Sequence, residues 1–394
     1  MTQFARYLNE VRHHLHQFPE LSGQEFATTA YLREQLARHD ITVLALPLLT
    51  GLVAEIRGSQ PGPLVVLRGD IDALPVEEQT DLAFRSQTSG VMHACGHDFH
   101  ASAALGAAIL LQQERAQLAG SVRVLFQPAE ETGQGAPAVL ESGALNDASV
   151  IFGLHNDPGL PVGVVGCKAG ALTAGVDRFA ISIKGTGTHA ACPHQGNDPI
   201  VIAGQLVTAL QTLIARNLPS DQNAVISITQ IHSGTTWNVI PEAAWLEGTV
   251  RTFNAESRRL LEQRMRQLLD GLGVAFTAEI TLDWQPGPPS VCNDADWAAF
   301  ALRQASASGL EARTIEASPI GEDFAFYQQR IPGAFVMVGS GGPWPLHHPE
   351  FRVDDDALFP AARYLATLAL AAGKKLTEVT GSPATQPAEQ ANSH

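Results

Sequence analysis

Four apolar runs set the pattern of this chain, at residues 64–67, 122–126, 150–154 and 335–338. Rich in Val, Ile, Leu and Phe and bounded by Gly or Pro, they predict strands buried on both faces rather than half-exposed strands, which would alternate. Polar groups able to ligate or to move protons follow each run: Asp70 and Asp72, then Glu130 and Glu131, then His155, and further downstream His347. In open α/β sheets ligands bind beyond the carboxyl ends of the strands, so these groups are expected to converge although they are far apart in sequence.

Helical periodicity fills the intervals. Ser22-Gly23-Gln24-Glu25 reads as a capping box opening a helix to about His39, with Phe26, Ala30, Leu32 and Leu36 among its apolar positions. A second helix is expected from near Asp98 to Gln112, which puts Cys95 and His97 at its N-terminal entry, where the helix dipole favours a thiolate. His13, His14 and His16 fall on an N-terminal helix; a solvated face is the expectation for the first two, and His16 is left open.

From about Asp177 the texture changes to shorter strands (179–183, 224–231, 244–252) alternating with helices (199–216, 257–271). This β-α-β-β-α-β order predicts a two-layer ferredoxin-like α+β sandwich, inserted into the first domain. The Pro- and Gly-rich stretch 283–289 reads as the linker that closes it, and a helix over 295–308 returns the chain to the first domain. The expected organisation is a discontinuous catalytic α/β domain (1–176 and 288–378) with a mainly parallel mixed sheet, an insert (177–287), and a disordered tail (379–394) without apolar periodicity.

Composition narrows the function classes. The 394 residues are 45% hydrophobic and 16% charged, with a formal charge of −15 and no basic stripe, which argues against nucleic acid or an anionic membrane as partner. The start lacks a basic flank and apolar core, and no apolar run is read as approaching a membrane span, so a cytoplasmic location is expected. The four cysteines are scattered and do not form a disulfide framework.

Chemistry concentrates in His93-Ala94-Cys95-Gly96-His97-Asp98-Phe99-His100. A lone cysteine is usually a buried inert thiol, but one thiolate donor among several imidazoles is a metal-ligand composition. An acidic pair such as Glu130-Glu131 is usually solvated surface; directly after an apolar strand it gains a purpose, with one carboxylate facing a metal and the other an attacking water, because consecutive side chains in extended backbone diverge.

Taken together the residues resemble the aminoacylase-like zinc metallopeptidases, in the amidohydrolase branch that includes hippurate hydrolases and indole-acetyl-amino-acid hydrolases. The resemblance spans nearly the whole chain. Its stretches include Leu15-His16 to Pro19-Glu20-Leu21-Ser22, Gly69-Asp70-Ile71-Asp72-Ala73-Leu74-Pro75, Met92-His93-Ala94-Cys95-Gly96-His97-Asp98 and Gln127-Pro128-Ala129-Glu130-Glu131. They continue with Gly187-Thr188-His189-Ala190, Asn238-Val239-Ile240-Pro241, Gly321-Glu322-Asp323-Phe324 and Leu346-His347-His348-Pro349.

The resemblance implies metal ligands at Cys95, His97, Glu131, His155 and His347, holding two divalent ions, zinc or manganese foremost, with cobalt or nickel also suitable. It implies Glu130 as general base and Asp72 as the group that orients a ligand. Within the doubled histidine, register favours His347, leaving His348 at the surface or behind the ligand. The insert is implied to be both lid and dimerisation surface, with His189 of a partner subunit reaching the substrate carbonyl. Asn238 and Arg251 are implied to hold an amino-acid carboxylate. Read as residues alone, Arg251 could instead pair with Glu247, Asn238 could be a turn residue, and His189 could cap a loop.

The implied activity is metal-dependent hydrolysis of N-acyl amino acids carrying acetyl, benzoyl or other aryl-acyl groups, by a homodimer or larger homo-oligomer. The alternative within the same chemistry is a dipeptidase or carboxypeptidase-like exopeptidase. From other classes, Cys95 with His97 or His93 could form a cysteine hydrolase, or the ligands could serve a non-catalytic metal-binding protein.

Overall fold

The computed structural model describes residues 2–381. The apolar runs become the centre of an eight-stranded sheet, in the order Ala119–Gln127, Gln60–Asp70, Ala148–Asp157 and Gly333–Gly339, all mutually parallel. Leu52–Arg57 and Val164–Cys167 add antiparallel on either side, so the sheet is mixed as expected. Both faces are covered. Val65 and Leu67 enter one apolar cluster with Leu8, Leu105, Phe152 and Leu365, while Leu64 and Val66 enter another with Leu125, Phe324 and Phe335. That two-sided burial is why these strands show no alternation. The helices Gln3–Gln17, His97–Gln113 and Leu358–Gly381 pack together over the first cluster.

Because the central strands are parallel, their carboxyl ends lie side by side: Asp70 pairs with Gln127, and Val338 with Asn156. A shared edge of this kind gathers distant segments at one place.

A second, four-stranded sheet contains Ala224–Ser233, Ala243–Thr252, Gly175–Lys184 and Glu279–Pro286 in that spatial order, all antiparallel. With the helices Pro199–Asn217 and Ala255–Phe276 on one face it has the ferredoxin-like order. Burial alternates along Gly175–Lys184, as one solvated face requires.

Three expectations change. The stretch 283–289 is not all linker: the last strand runs through Asp283-Trp284-Gln285-Pro286 and leaves only 287–289 outside it. The capping box at 22–25 does not form, because Ser22 Oγ instead donates to the buried Asp72 at 2.7 Å. The helix Phe26–Ala37 takes its cap from the Glu20 carboxylate, which accepts from the N–H groups of Ala27 and Thr28 at 3.1 and 2.7 Å. Finally, Pro199–Asn217 is long and apolar enough to cross a membrane, with mean hydropathy 1.3. Its buried Ile202, Ala203, Leu206, Leu210 and Leu213 form a stripe within the core of the sandwich, which accounts for the apolar content. The last helix runs to Gly381, and the rest of the expected tail, 382–394, lies outside the described residues.

Candidate metal centre

Backbone geometry aims the side chains. Gly96, between Cys95 and the start of His97–Gln113, takes φ +84°, and a Cβ there would run into the Asn156 side chain. Asn156 in turn donates to the Cys95 carbonyl at 2.6 Å. Ala129 (φ 52°) and His347 (φ 67°) also adopt the left-handed conformation, uncommon for residues with a Cβ and often found where function demands it. Ala129 precedes a turn that contains Glu130 and Glu131, so these two project from a turn with carboxylate oxygens within 4.8 Å of each other, not as the diverging extended pair the sequence suggested. The His347 N–H donates to the Ala94 carbonyl at 2.7 Å, tying its loop to the Cys95 segment.

Among the groups of ligand-type atoms that result are Cys95 with His97 and His155, and Cys95 with Glu131 and His347; within each, the atoms lie within 4.8 Å of one another. Cys95 Sγ is 3.5 Å from His155 Nε2, and Glu131 Oε1 is 3.8 Å from His97 Nε2 and 3.5 Å from His347 Nε2. The remaining ring nitrogens are engaged behind: His97 Nδ1 faces Asp72 Oδ1 at 3.2 Å and His155 Nδ1 donates to the Asn156 carbonyl at 2.7 Å. Asp72 does double duty, since its Oδ2 accepts from the Glu131 N–H at 3.0 Å.

His97 Nε2 and Glu131 Oε1 are both buried and have no hydrogen-bond partner among the described residues. Orphaned buried polar atoms are rare, and a carboxylate, thiol and imidazole set with free lone pairs fits divalent cations. Burial, reinforced by the Glu131 charge, holds the Cys95 thiol well above its ordinary pKa, so the helix dipole alone does not deliver the expected thiolate. A bound cation would supply the missing stabilisation, because coordination deprotonates a thiol. Burial and neighbouring His100 keep His155 well below its ordinary range, hence neutral and able to ligate.

The geometry separates the other histidines. His348 stacks on Trp344 (ring centroids 4.2 Å, planes 2° apart) and its Nδ1 accepts from the Glu350 N–H, leaving His347 as the member of the pair that meets Glu131. Both nitrogens of His100 are used, by Asp70 at 2.6 Å and by the Asn156 N–H at 2.8 Å. His16 is buried between Asp98 (3.0 Å) and Glu78 (3.2 Å). His13 and His14 are not simply solvated: His13 pairs with Asp355 at 2.8 Å and stacks on Phe84, and His14 stacks on Tyr31.

Sequence reasoning missed the charge network behind the site. Arg68, wholly buried, reaches Asp70 (2.5 Å), Glu322 (2.9 Å) and Asp323 (2.8 Å), while Gln127 bridges Arg68 and Asp323. A signal existed: Arg68 directly follows an apolar run on a strand expected to be buried, where a charge is expensive unless paired. Burial pushes Glu322 up to about 8 and Asp323 up to about 6, against the pull of Arg68. Burial together with these two carboxylates also raises Glu130 well above its ordinary value. Glu130 Oε1 accepts from the Asp323 N–H at 3.2 Å.

A cavity of about 840 Å³ opens over Cys95, Glu130, Glu131, His155 and His347, and Arg251 lines it from the four-stranded sheet. The Arg251 guanidinium has no hydrogen bond or ion pair among the described residues; Glu247, its possible partner, is taken by Arg178. His189 lies on a two-stranded ladder opposite Val239, Asn238 directly precedes that strand, and neither lines this cavity. His189 Nδ1 accepts from the Ala191 N–H at 3.1 Å, and Asn238 sits in the turn before Val239.

A profile of Peptidase family M20/M25/M40 matches residues 66–371. The chain belongs to that family. It is 49% identical over 368 residues to the N-acetylcysteine deacetylase of Bacillus subtilis, covering 93% of this chain and 97% of that one. It is 36% identical to thermostable carboxypeptidase 1 of Saccharolobus solfataricus, covering 92% and 95%. The crystal structure of the Bacillus subtilis YXEP protein, described as a dinuclear metal binding peptidase of the M20 family, superposes with a TM-score of 0.86 at 46% identity, covering 94% of this chain and 99% of that one. This chain is thus a hydrolase of a metal-dependent family.

Proposed function

We propose that the protein is a binuclear metal amidohydrolase that cleaves the amide between an acyl group and the nitrogen of an amino acid, releasing a carboxylic acid and the free amino acid. The observation that carries this reading is Arg251, the one guanidinium or ammonium among the described residues lining the cavity, unpaired and sharing that space with Glu130 and the ligand cluster. Its planar fork suits the carboxylate of an N-acyl amino acid. The N-acetylcysteine deacetylase relative acts, by its name, on a compound of this class.

Cys95, His97, Glu131, His155 and His347 would hold two divalent ions, with zinc or manganese foremost and cobalt or nickel also suited to mixed thiolate, imidazole and carboxylate donors. When bound, such ions polarise a carbonyl and lower the pKa of water. Glu130 takes a proton from the attacking water and delivers it to the leaving amine nitrogen; the burial that raises its pKa makes it able to hold that proton between the two steps. Asp72 fixes the His97 ring and the Glu131 backbone.

Residues 177–287 serve as lid and dimerisation unit on a catalytic domain of 1–176 and 288–378. The edge strand Ala224–Ser233 exposes Ile231 (49%), and Trp237 beyond it is 91% exposed, which suits an apolar sheet edge covered by a second copy. His189 and Asn238 would then reach the site from a partner subunit, with the imidazole stabilising the developing oxyanion.

The test is a panel of N-acetyl, N-benzoyl and indole-acyl amino acids beside plain dipeptides, assayed after chelation and after restoring zinc or manganese. Metal-dependent release from the acylated compounds is expected. The carboxypeptidase relative supports a second reading, an exopeptidase in which Arg251 holds a C-terminal carboxylate; cleavage of peptides alone would replace the first reading with it. Activity that survives complete chelation would point to a cysteine hydrolase at Cys95.

A further inference from the structure

A second cavity, of about 720 Å³, lies beside the metal cavity and contains neither Arg251 nor any of the five proposed ligands. Ile320 and Leu346 line both spaces. Its position follows from the sheet: Met337, which lines it, pairs in parallel register with the ligand candidate His155, and Asn156, which also lines it, is the next residue along that strand. Its apolar surface comes from Met337, Leu160, Leu172, Ile315 and Trp344, of which Leu172 and Met337 are buried. Asp157 and Glu316 supply carboxylates to its lining, whereas no Lys or Arg is among the described residues there.

An amide substrate has two arms leaving the reacting carbonyl. If the amino-acid arm is held at Arg251 in the first cavity, the acyl arm needs a separate space next to the reacting centre, and the second cavity adjoins the first along Ile320 and Leu346. We propose that this cavity is the acyl subsite and that it selects bulky, uncharged apolar acyl groups over acetyl and over acidic acyl groups. The assignment rests on the N-acyl amino acid reading above. An acetyl group leaves most of such a volume to water, whereas an aryl ring removes apolar wall from water. A succinyl-type group would bring a negative charge toward Asp157 and Glu316 into a region without a compensating cation. The loop that carries His347 also carries Trp344 and Leu346, so one loop supplies both a wall of the acyl space and one ligand candidate.

The experiment compares kcat/KM for the N-acetyl, N-benzoyl and N-succinyl derivatives of one amino acid, in the wild type and in Leu160→Trp, which fills the cavity. The expected result is a benzoyl-to-acetyl ratio above one in the wild type that falls by about 10-fold or more in the variant, the range expected when a ring loses its place in an apolar pocket. Should Leu160→Trp not fold, Ser318→Phe brings bulk in from another wall. Glu316→Gln is expected to narrow the gap between succinyl and benzoyl substrates. A readout independent of turnover uses Trp344: phenylacetamide, a neutral probe, added to the protein should change a fluorescence component that is missing in Trp344→Phe. Hydrolysis of all acyl forms with a benzoyl-to-acetyl ratio unmoved by either filling variant overturns the subsite while leaving the amidohydrolase intact. Failure to hydrolyse any of them, with peptides cut instead, overturns the activity on which it rests.

Discussion

Replacing Asp72 by Asn tests how much of the metal site is built by the residues behind it. The two carboxylate oxygens serve three donors: Oδ1 faces His97 Nδ1 at 3.2 Å, and Oδ2 accepts from Ser22 Oγ at 2.7 Å and from the Glu131 N–H at 3.0 Å. An amide keeps one oxygen, so its NH₂ must face either the imidazole or the Glu131 backbone. Facing the imidazole, it forces the ring proton onto Nε2, the atom a metal needs; facing Glu131, it sets two N–H groups against each other in a buried place. A buried donor left unpaired costs about 1–3 kcal/mol, and loss of a group orienting a metal ligand typically lowers metal affinity or activity about 10- to 100-fold. Calorimetric titration of the metal-free protein with zinc, beside kcat/KM on an N-acyl amino acid, measures both. Ser22→Ala, which removes the half-buried third donor, is the control and should shift either quantity by less than about threefold, since a group able to reach water leaves little unsatisfied. Wild-type zinc affinity and turnover in Asp72→Asn would refute the claim that this carboxylate sets the tautomer and position of the ligands.

Glu130→Gln should lower kcat by about 10²- to 10⁴-fold, with metal content unchanged and thermal stability undiminished, because a Gln oxygen can still accept from the Asp323 N–H and one crowded carboxylate is gone; full turnover would remove Glu130 from the mechanism. Arg251→Ala should raise KM for N-acyl amino acids about 10-fold or more and leave the corresponding N-acyl amines, which lack the carboxylate, nearly unaffected; equal effects on both would exclude the carboxylate contact. For His16, burial lowers the pKa, but Asp98 and Glu78 override it and hold it up to about 9, above the unfolded value of 6.5. Its contribution, on the order of 3 kcal/mol, is therefore complete below pH 6.5 and lost as the pH rises through about 9. Urea midpoints of wild type and His16→Gln at pH 6 and pH 9.5 should converge at the higher pH; parallel curves would contradict the pairing.

Much of the architecture was legible because the local rules and the global fold agree. Runs such as 64–67 lack alternation since both faces of the sheet are covered, and the strand Gly175–Lys184 alternates since one of its faces is not. The ligand candidates could be nominated for a related reason: Glu131 stands a few residues past a strand end, His155 lies near the end of its strand, and Cys95 and His97 stand at a helix entry. What could not be read was decided by competition between distant groups. Ser22 had a local capping role available, and the buried Asp72 outbid it. Asp283 and Trp284 looked like part of a linker from their Pro and Gly neighbours, and pairing with Ala180 and Phe179 made them strand. The doubled His347-His348 was resolved by backbone conformation, φ 67° at the first and stacking on Trp344 at the second, and neither is encoded within the dipeptide.

The charge network explains why such a site can exist inside a folded protein. Asp70, Asp72, Glu131, Glu322 and Asp323 crowd around His97 and Arg68, and Arg68 is the one permanent cation at the hub. Its three carboxylate contacts cannot all be neutralised by a single guanidinium, which is why Glu322 and Asp323 sit above their ordinary values despite touching it. Removing Arg68 would leave those acids buried and unpaired, a change that ordinarily destabilises by about 3–5 kcal/mol. The same surplus of negative charge, extended through Glu130 to the orphaned Glu131 oxygen, is what a pair of divalent cations would offset. Arg68 thus anchors the inner side of a carboxylate cluster whose outer side is left for metal, and the fold can hold Glu130, the proposed base, at a raised pKa because its neighbours are acids already fixed in place.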